Sequence, residues 1–476
     1  MPKIAMIGAG SLIFCKTLLN DILATEALQD SEICLMSRTQ PKLDKMTDFA
    51  RRMVTENGLP TRITSTLDRR EALDGAKYVI IMIQIGGVEA FKLDYEIPLK
   101  YGVDQCIADS LGPGGVFRGA RTIPVLADIA ENMEKLCPDA ILLNYANPMA
   151  ACCLGLGIVT DMPFVGLCHG VQTTLDLIGR YVDVPKADIE YTCAGINHMA
   201  WFLSLEDRRD GRDLYPILRE NIEKPEYYVN EKVRGEVMRH FGYFMTESTG
   251  HLSEYVPWFR SSERGLKTYC DQPEFGGASG AYYNYCQMLA DKYKEVDYLQ
   301  LESPRITSRS VEYCSYILEA VETDNIFRLN GNVRNDGFIT NLPQGCCVEV
   351  PIFVDSRGLH PEHIGDLPSQ LAALCQSNVT VQDLAAEAAL TGDPELLMQA
   401  IAMDPLTSAV CTLKEIREMT AEMLEAQRPW LPEMGQAKLT PRPAIEIPEG
   451  LTPVDVPVDP ALAIANRFGK LATQDT

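Results

Sequence analysis

A chain of 476 residues is too long for one ordinary core, so two closely joined domains are expected, and 46% hydrophobic against 23% charged residues excludes a disordered polymer. The net charge of −23 excludes nucleic acid and anionic membranes as partners, because either would repel the chain. No run of about 18 apolar residues occurs and Met1-Pro2-Lys3-Ile4 leads straight into a strand pattern, so neither signal peptide nor membrane span is expected, and the fifteen cysteines read as reduced thiols in a cytoplasm.

Residues 3–7 form an apolar run ending in Gly8-Ala9-Gly10, and a helical pattern follows to about Ala24. A second run at 32–36 and a helix rich in Lys and Arg complete a βαβ unit. Further strands are predicted at 62–65, 78–83, 140–144 and 164–168. Strands alternating with helices imply an α/β, Rossmann-like doubly wound parallel sheet, with functional residues at the strands' carboxyl ends. Gln84, Asn144, Asn147 and Cys168 fall there.

From about Tyr191 the pattern changes to longer helices with scattered strands, one of them at 346–354, and a mixed α+β domain is expected. Helices are predicted at 381–390, 394–402 and 413–426, with Gly392 and Asp393 as a stop and an N-cap between the first two. Prolines at 429, 432, 441, 443, 448, 453, 457 and 460 forbid helices and predict an extended tail. The division expected is residues 1–190, a dinucleotide-binding domain; 191–430, a substrate, metal and oligomerisation domain; and 431–476, the tail.

Gly8-Ala9-Gly10 sits where a strand turns into a helix, so amides near Gly8, Gly10 and Ser11 can face a pyrophosphate, although Ile13 occupies the third glycine position. Gln84 and Asn144, at the ends of neighbouring strands, are further cofactor candidates. The second strand ends in Ser37-Arg38-Thr39 without the acid that usually holds an NAD ribose, so NAD and NADP both stand, the latter through a 2′-phosphate on Ser37 and Arg38.

Cys168 and His198 are a thiol and an imidazole that together suit a borderline-soft divalent metal, or else are two core residues. Asn144-Tyr145-Ala146-Asn147-Pro148 offers amides suited to sugar hydroxyls. Asp109-Ser110-Leu111-Gly112-Pro113-Gly114-Gly115 is expected to be a flexible loop with a carboxylate at its start, followed by Arg118 and Arg121.

Five segments carry a resemblance: Val-Gly-Leu-Cys-His-Gly-Val-Gln at 165–172, Cys-Ala-Gly-Ile-Asn-His-Met-Ala at 193–200, Glu-Tyr-Val-Pro-Trp-Phe at 254–259, Asn-Val-Arg-Asn-Asp-Gly at 332–337 and Asn-Leu-Pro-Gln-Gly-Cys-Cys-Val-Glu-Val at 341–350. Together they resemble glycoside hydrolase family 4, most of all its bacterial α-galactosidases of the melibiase type, from the N-terminus to about residue 430. The resemblance implies NAD, a divalent metal (commonly manganese) and a mechanism outside the two-carboxylate scheme. In it hydride leaves C3 of the terminal sugar, a base takes the C2 proton, the C1 group is eliminated, water adds and the steps reverse.

By the same resemblance Cys168 and His198 are the metal ligands and His169 is the leaving-group acid. Tyr255 is the base at C2, with Glu254 as its competitor. Asn147 and Asp109 contact substrate or metal, and Arg309 and Asn335 are weaker substrate candidates. Trp258 is read as a core residue, with sugar stacking as the alternative. A small α-linked glycoside is the expected partner, and a homodimer or homotetramer the expected assembly.

The α-galactosidases typically carry Cys-His-Ser-Val where this chain has Cys168-His169-Gly170-Val171, and glycine there points to members acting on α-glucosides or on α-glucuronides and α-galacturonides. The remaining likeness favours α-galactosides. The Cys-Asp or Cys-Asn pattern of phosphosugar members is absent. From a different class, a 2-hydroxy-acid dehydrogenase also combines a nucleotide domain with a downstream histidine.

Overall fold

Six short apolar segments build the first half of the sheet: β1 (Lys3–Ile7), β2 (Glu32–Met36), β3 (Arg62–Thr66), β4 (Tyr78–Ile81), β5 (Ile141–Asn144) and β6 (Phe164–Gly166). The computed structural model describes residues 1–295, 297–431 and 433–454. The six strands are parallel in the order β3-β2-β1-β4-β5-β6, the doubly wound arrangement expected. Strand period explains why they read as continuous apolar runs: Ile4, Met6, Tyr78 and Ile80 enter one core, while Ala5, Ile7, Val79 and Ile81 enter another. Alternate side chains point to opposite faces, and helices cover both, so neither face tolerates polar residues.

The sheet does not stop at β6. Strands β7 (Ile189–Ile196), β8 (Met199–Asp207), β9 (Arg212–Asp213), β10 (Phe327–Arg334), β11 (Cys347–Asp355) and β12 (Gly358–Pro361) follow in the chain. Asn332 of β10 pairs antiparallel with Gly166 of β6, and Glu349 of β11 with Gly195 of β7. The order therefore continues β6-β10-β11-β7-β8-β9, with β12 beside β11. This seam lays the end of β6, and Cys168 just past it, beside the β7–β8 hairpin.

Residues Met1–Leu439 make one compact unit, and Leu431 and Met434 are buried in its core. In the second unit, residues 440–454 carry no helix or strand and are mostly exposed, as the prolines require. Pro432, and the tail from 455 onward with Pro457 and Pro460, lie outside the described residues.

Two expectations change. The glycine-rich segment after Asp109 is no flexible loop: Gly112 opens the buried helix Gly112–Leu136, with Pro113 in its first turn, where a missing N–H costs nothing. The helix predicted at 381–390 begins at Ser369 and runs to Thr391; Ser377, Asn378 and Thr380, weak helix formers, hide its first half from a propensity reading. Among the described residues no helix is long and apolar enough to cross a membrane.

Candidate active site

Gly8 takes a φ of +98°, and a Cβ there would lie 2.6 Å from the Met82 carbonyl, so only glycine fits the turn out of β1. Its N–H and that of Ala9 donate to the Met36 carbonyl at 2.9 Å, tying the turn to the end of β2. Ser11 is the N-cap of the helix Leu12–Ala24 and makes no side-chain capping bond, which leaves the first helical amides to an external acceptor. Gly10 packs against Ser37, whose hydroxyl accepts from the Thr39 N–H at 3.3 Å; Arg38 is exposed beside it. Gln84 follows β4 on the surface. Asn144 turns inward instead, its Oδ1 accepting from Ala146 N and its Nδ2 donating to Ala146 O, and so shapes the turn after β5 rather than facing a ligand.

Beyond this edge lies a cavity of ≈ 540 Å³, whose wall includes Asp109, Asn147, Cys168, His169, His198 and Glu247. His198 occupies a two-residue turn between β7 and β8, with Ile196 opposite Met199, in a left-handed backbone of φ +64°. Its Nε2 is 3.4 Å from Cys168 Sγ and 3.5 Å from Glu247 Oε1, and Sγ and Oε1 are 3.9 Å apart. Its Nδ1 lies 3.2 Å from the Tyr255 hydroxyl. Glu247 is delivered by residues 244–246, which run alongside β8 with Thr246 N–H donating to Ala200 O at 2.9 Å. The short helix Thr249–Tyr255 follows, capped by Ser248 on the His251 N–H, and carries His251, Glu254 and Tyr255.

These groups bias one another. Burial pushes the His198 imidazole down to about 4, against the pull of Glu247, so it is neutral near physiological pH and has a lone pair to give. Burial works to raise the Glu247 carboxyl, but His198, His251 and His169 override it and hold it well below the usual carboxylate range. Burial, then Glu247 and Glu349, push the Cys168 thiol well up. An imidazole, a carboxylate and a thiol whose ligand atoms lie within 4.8 Å of one another fit one divalent cation, which would deprotonate the thiol outright.

Around this cluster, Asn147 Nδ2 donates to Asp109 Oδ2 at 3.2 Å, and Ser110 Oγ to Asp109 Oδ1 at 2.6 Å. Arg118 Nε donates to the Asn147 carbonyl at 3.2 Å. His169 is half-exposed at the cavity mouth, its Nδ1 3.4 Å from Glu312 Oε1, and that contact raises its pKa against the effect of burial.

Four predicted residues stand elsewhere. Glu254 is buried with its carboxylate accepting from the Ile107 and Ala108 backbone N–H groups and from the Gln105 side-chain Nε2, a clasp on the chain before Asp109. Arg309 pairs with Glu319 and Ser315 and lies 3.5 Å from the Tyr316 ring centroid. Asn335 spends its amide on the Ile339, Leu342 and Pro343 carbonyls. Trp258 is 47% exposed and stacks on Phe241, outside the core and off the cavity wall. Sequence reasoning missed Glu247 and His251; their spacing of four residues was the one local signal, and it matches no metal motif.

The family 4 glycosyl hydrolase model matches residues 3–184, and that of the family 4 glycosyl hydrolase C-terminal domain matches residues 193–407. The chain belongs to glycosyl hydrolase family 4. Similar proteins include an alpha-galactosidase from Rhizobium meliloti (strain 1021), 40% identical over 447 residues, covering 91% of this chain and 90% of its own. An alpha-galactosidase from Bacillus subtilis (strain 168) is 40% identical over 436 residues, covering 91% and 100%. A 6-phospho-beta glucosidase from Thermotoga maritima, solved with manganese, NAD+ and glucose-6-phosphate, superposes with a TM-score of 0.74 at 21% identity, covering 90% of this chain and 99% of its own, and shares the fold.

Proposed function

We propose that this family 4 enzyme hydrolyses terminal α-galactosides with bound NAD and a divalent metal, by transient oxidation at C3, deprotonation at C2, elimination and water addition. The observation that carries this reading is the cluster of Cys168, His198 and Glu247 inside one cavity, with Tyr255 hydrogen-bonded behind His198 and the Asp109–Asn147 pair on the same wall. The 40%-identical relatives named alpha-galactosidases support the sugar, and the Thermotoga neighbour's manganese and NAD+ support the cofactors. Bound NAD would supply a hydride acceptor that is regenerated in each cycle, and a divalent cation in the cluster of Cys168, His198 and Glu247 would supply Lewis acidity.

The chain's own residues do the rest. Gly10 and the uncapped amides at the start of the helix Leu12–Ala24 face the dinucleotide phosphates, while the Gly8 and Ser11 N–H groups hold the turn itself by donating to the Met36 and Gly8 carbonyls. Burial, then Glu247, Asp109 and Glu254, push the Tyr255 phenol well up. Its role as the base at C2 therefore requires the charge of a bound cation and the His198 Nδ1–H, which donates to the Tyr255 oxygen when Nε2 is turned to the metal site. Glu312 orients His169 and favours its protonated form, the form an acid for the leaving oxygen requires. Asp109 and Asn147 form a donor–acceptor pair for sugar hydroxyls.

Among the described residues no lysine lines the cavity, and Arg234 on its wall is held by both oxygens of Glu231, which disfavours a C6 carboxylate or phosphate. The free, mostly buried thiols fit a reducing cytoplasm, and a homo-oligomer remains the expected assembly. Nitrophenyl α-galactoside, α-glucoside, α-glucuronide and α-galacturonide, each with NAD and Mn2+, test the proposal together. The galactoside should turn over fastest with no net NADH. Stoichiometric NADH would replace the hydrolase reading with the dehydrogenase one.

A further inference from the structure

Gly170 is the first residue of the helix Gly170–Val182, and its backbone does not need a glycine, since its φ lies outside the left-handed region. Space needs one. A Cβ at 170 would come within 3.0 Å of Glu247 Oε1, while its other neighbours, Glu247 Cδ and Cys168 Sγ, would stand at an ordinary 3.5 and 3.6 Å. The one intolerable contact is with a carboxylate oxygen at the end of a flexible side chain, so it is Glu247 that would give way.

Glu247 is itself placed with care. It holds a left-handed φ of +76°, a backbone that L side chains rarely adopt. His251 Nδ1, 3.4 Å away, engages Oε2, leaving Oε1 facing Cys168 Sγ and His198 Nε2. Ligand bonds of about 2.0–2.3 Å at tetrahedral or octahedral angles set neighbouring ligand atoms about 3–4 Å apart. The separations of 3.4, 3.5 and 3.9 Å match that spacing.

We infer that Glu247 is a third protein ligand of the divalent cation, and that Gly170 is the residue that admits it. The inference rests on the metal reading proposed above and deepens it. A thiolate and a carboxylate together neutralise a dication, so the site holds its ion before any sugar arrives. The added oxygen donor also moves its preference toward harder ions such as Mn2+. In this chain, a side chain at position 170 would push Oε1 of Glu247 out of this place.

The test is calorimetric titration of Mn2+ alone into the full chain loaded with NAD, without sugar. Glu247→Gln and Gly170→Ala should each weaken Mn2+ binding by about 10–100-fold, the scale of losing a group that supports a metal site. The double variant should be no weaker than Glu247→Gln, because both changes remove the same contact. Alanine suits a helix start, so Gly170→Ala should melt no lower than the parent chain, which separates lost ligation from misfolding. Parental Mn2+ affinity in Gly170→Ala and Glu247→Gln, with binding lost in Cys168→Ser, would overturn the inference alone. Parental affinity in Cys168→Ser as well would remove the metal reading beneath it.

Discussion

Tyr255 and Glu254 are neighbours on one short helix, and the structure assigns them different work. Tyr255→Phe removes a single oxygen, 3.2 Å from His198 Nδ1, and leaves the ring in place against His251 and His198. One lost hydrogen bond costs about 1 kcal/mol of stability. The loss in turnover should be far larger: a general base is worth about 10²–10⁴-fold, or about 3–5 kcal/mol of barrier. Glu254→Gln has the opposite profile. An amide nitrogen replaces one carboxylate oxygen opposite the Ile107 and Ala108 N–H groups, so a buried donor faces a donor, at about 1–3 kcal/mol of stability. Its turnover, measured well below the melting temperature, should stay near that of the parent chain. The assay is initial rates on nitrophenyl α-galactoside at saturating NAD and Mn2+, joined to deuterium incorporation at C2 and thermal melts of each variant. Tyr255 is not the base if Tyr255→Phe keeps more than about a tenth of the turnover, and Glu254 is not merely a clasp if Glu254→Gln loses activity by about 10²-fold or more with an unchanged melt.

Cys168→Ser and His198→Ala should abolish turnover yet leave the NAD dissociation constant unchanged, since the turn after β1 does not depend on them; parental activity in chelator would refute this. NAD should bind more tightly than NADP, and Arg38→Ala should weaken only NADP; equal affinities for both cofactors would remove any role for Arg38. Arg121 is buried against both oxygens of Asp94, at 2.8 and 2.6 Å, and against Gln427. Arg121→Met strands that carboxylate, at about 3–5 kcal/mol, and a melt equal to the parent's would show the pair to be dispensable. Burial pushes the Asp404 carboxyl up to about 6. Its folded value exceeds the unfolded value near 3.9, so its contribution is full below about pH 4 and lost as pH rises through about 6, by about 3 kcal/mol. The stability difference between Asp404→Asn and the parent should therefore grow in the variant's favour across that window; a constant difference would contradict it.

The parallel half of the sheet was legible in the chain because burial on both faces leaves long apolar runs, and because Gly8 marks a turn that no other residue can make. Cys168 and His198 were legible as a pair of ligand types in two specific motifs. What brings them together is the antiparallel pairing of β10 with β6 and of β11 with β7, contacts between segments remote in sequence that no local pattern encodes. The same holds for Glu247, an ordinary glutamate until residues 244–246 line up beside β8, and for the opposite fates of Glu254 and Tyr255, adjacent in the chain but turned to different neighbours. Asn335 is held by its own loop and Arg309 by Ser315 and Glu319 of the helix that follows it, Cys314–Thr323. Local residue chemistry named the kinds of atoms the site needs. The tertiary fold decided which of them meet, because ligation and proton transfer act over about 2–3 Å and only packing sets distances that small.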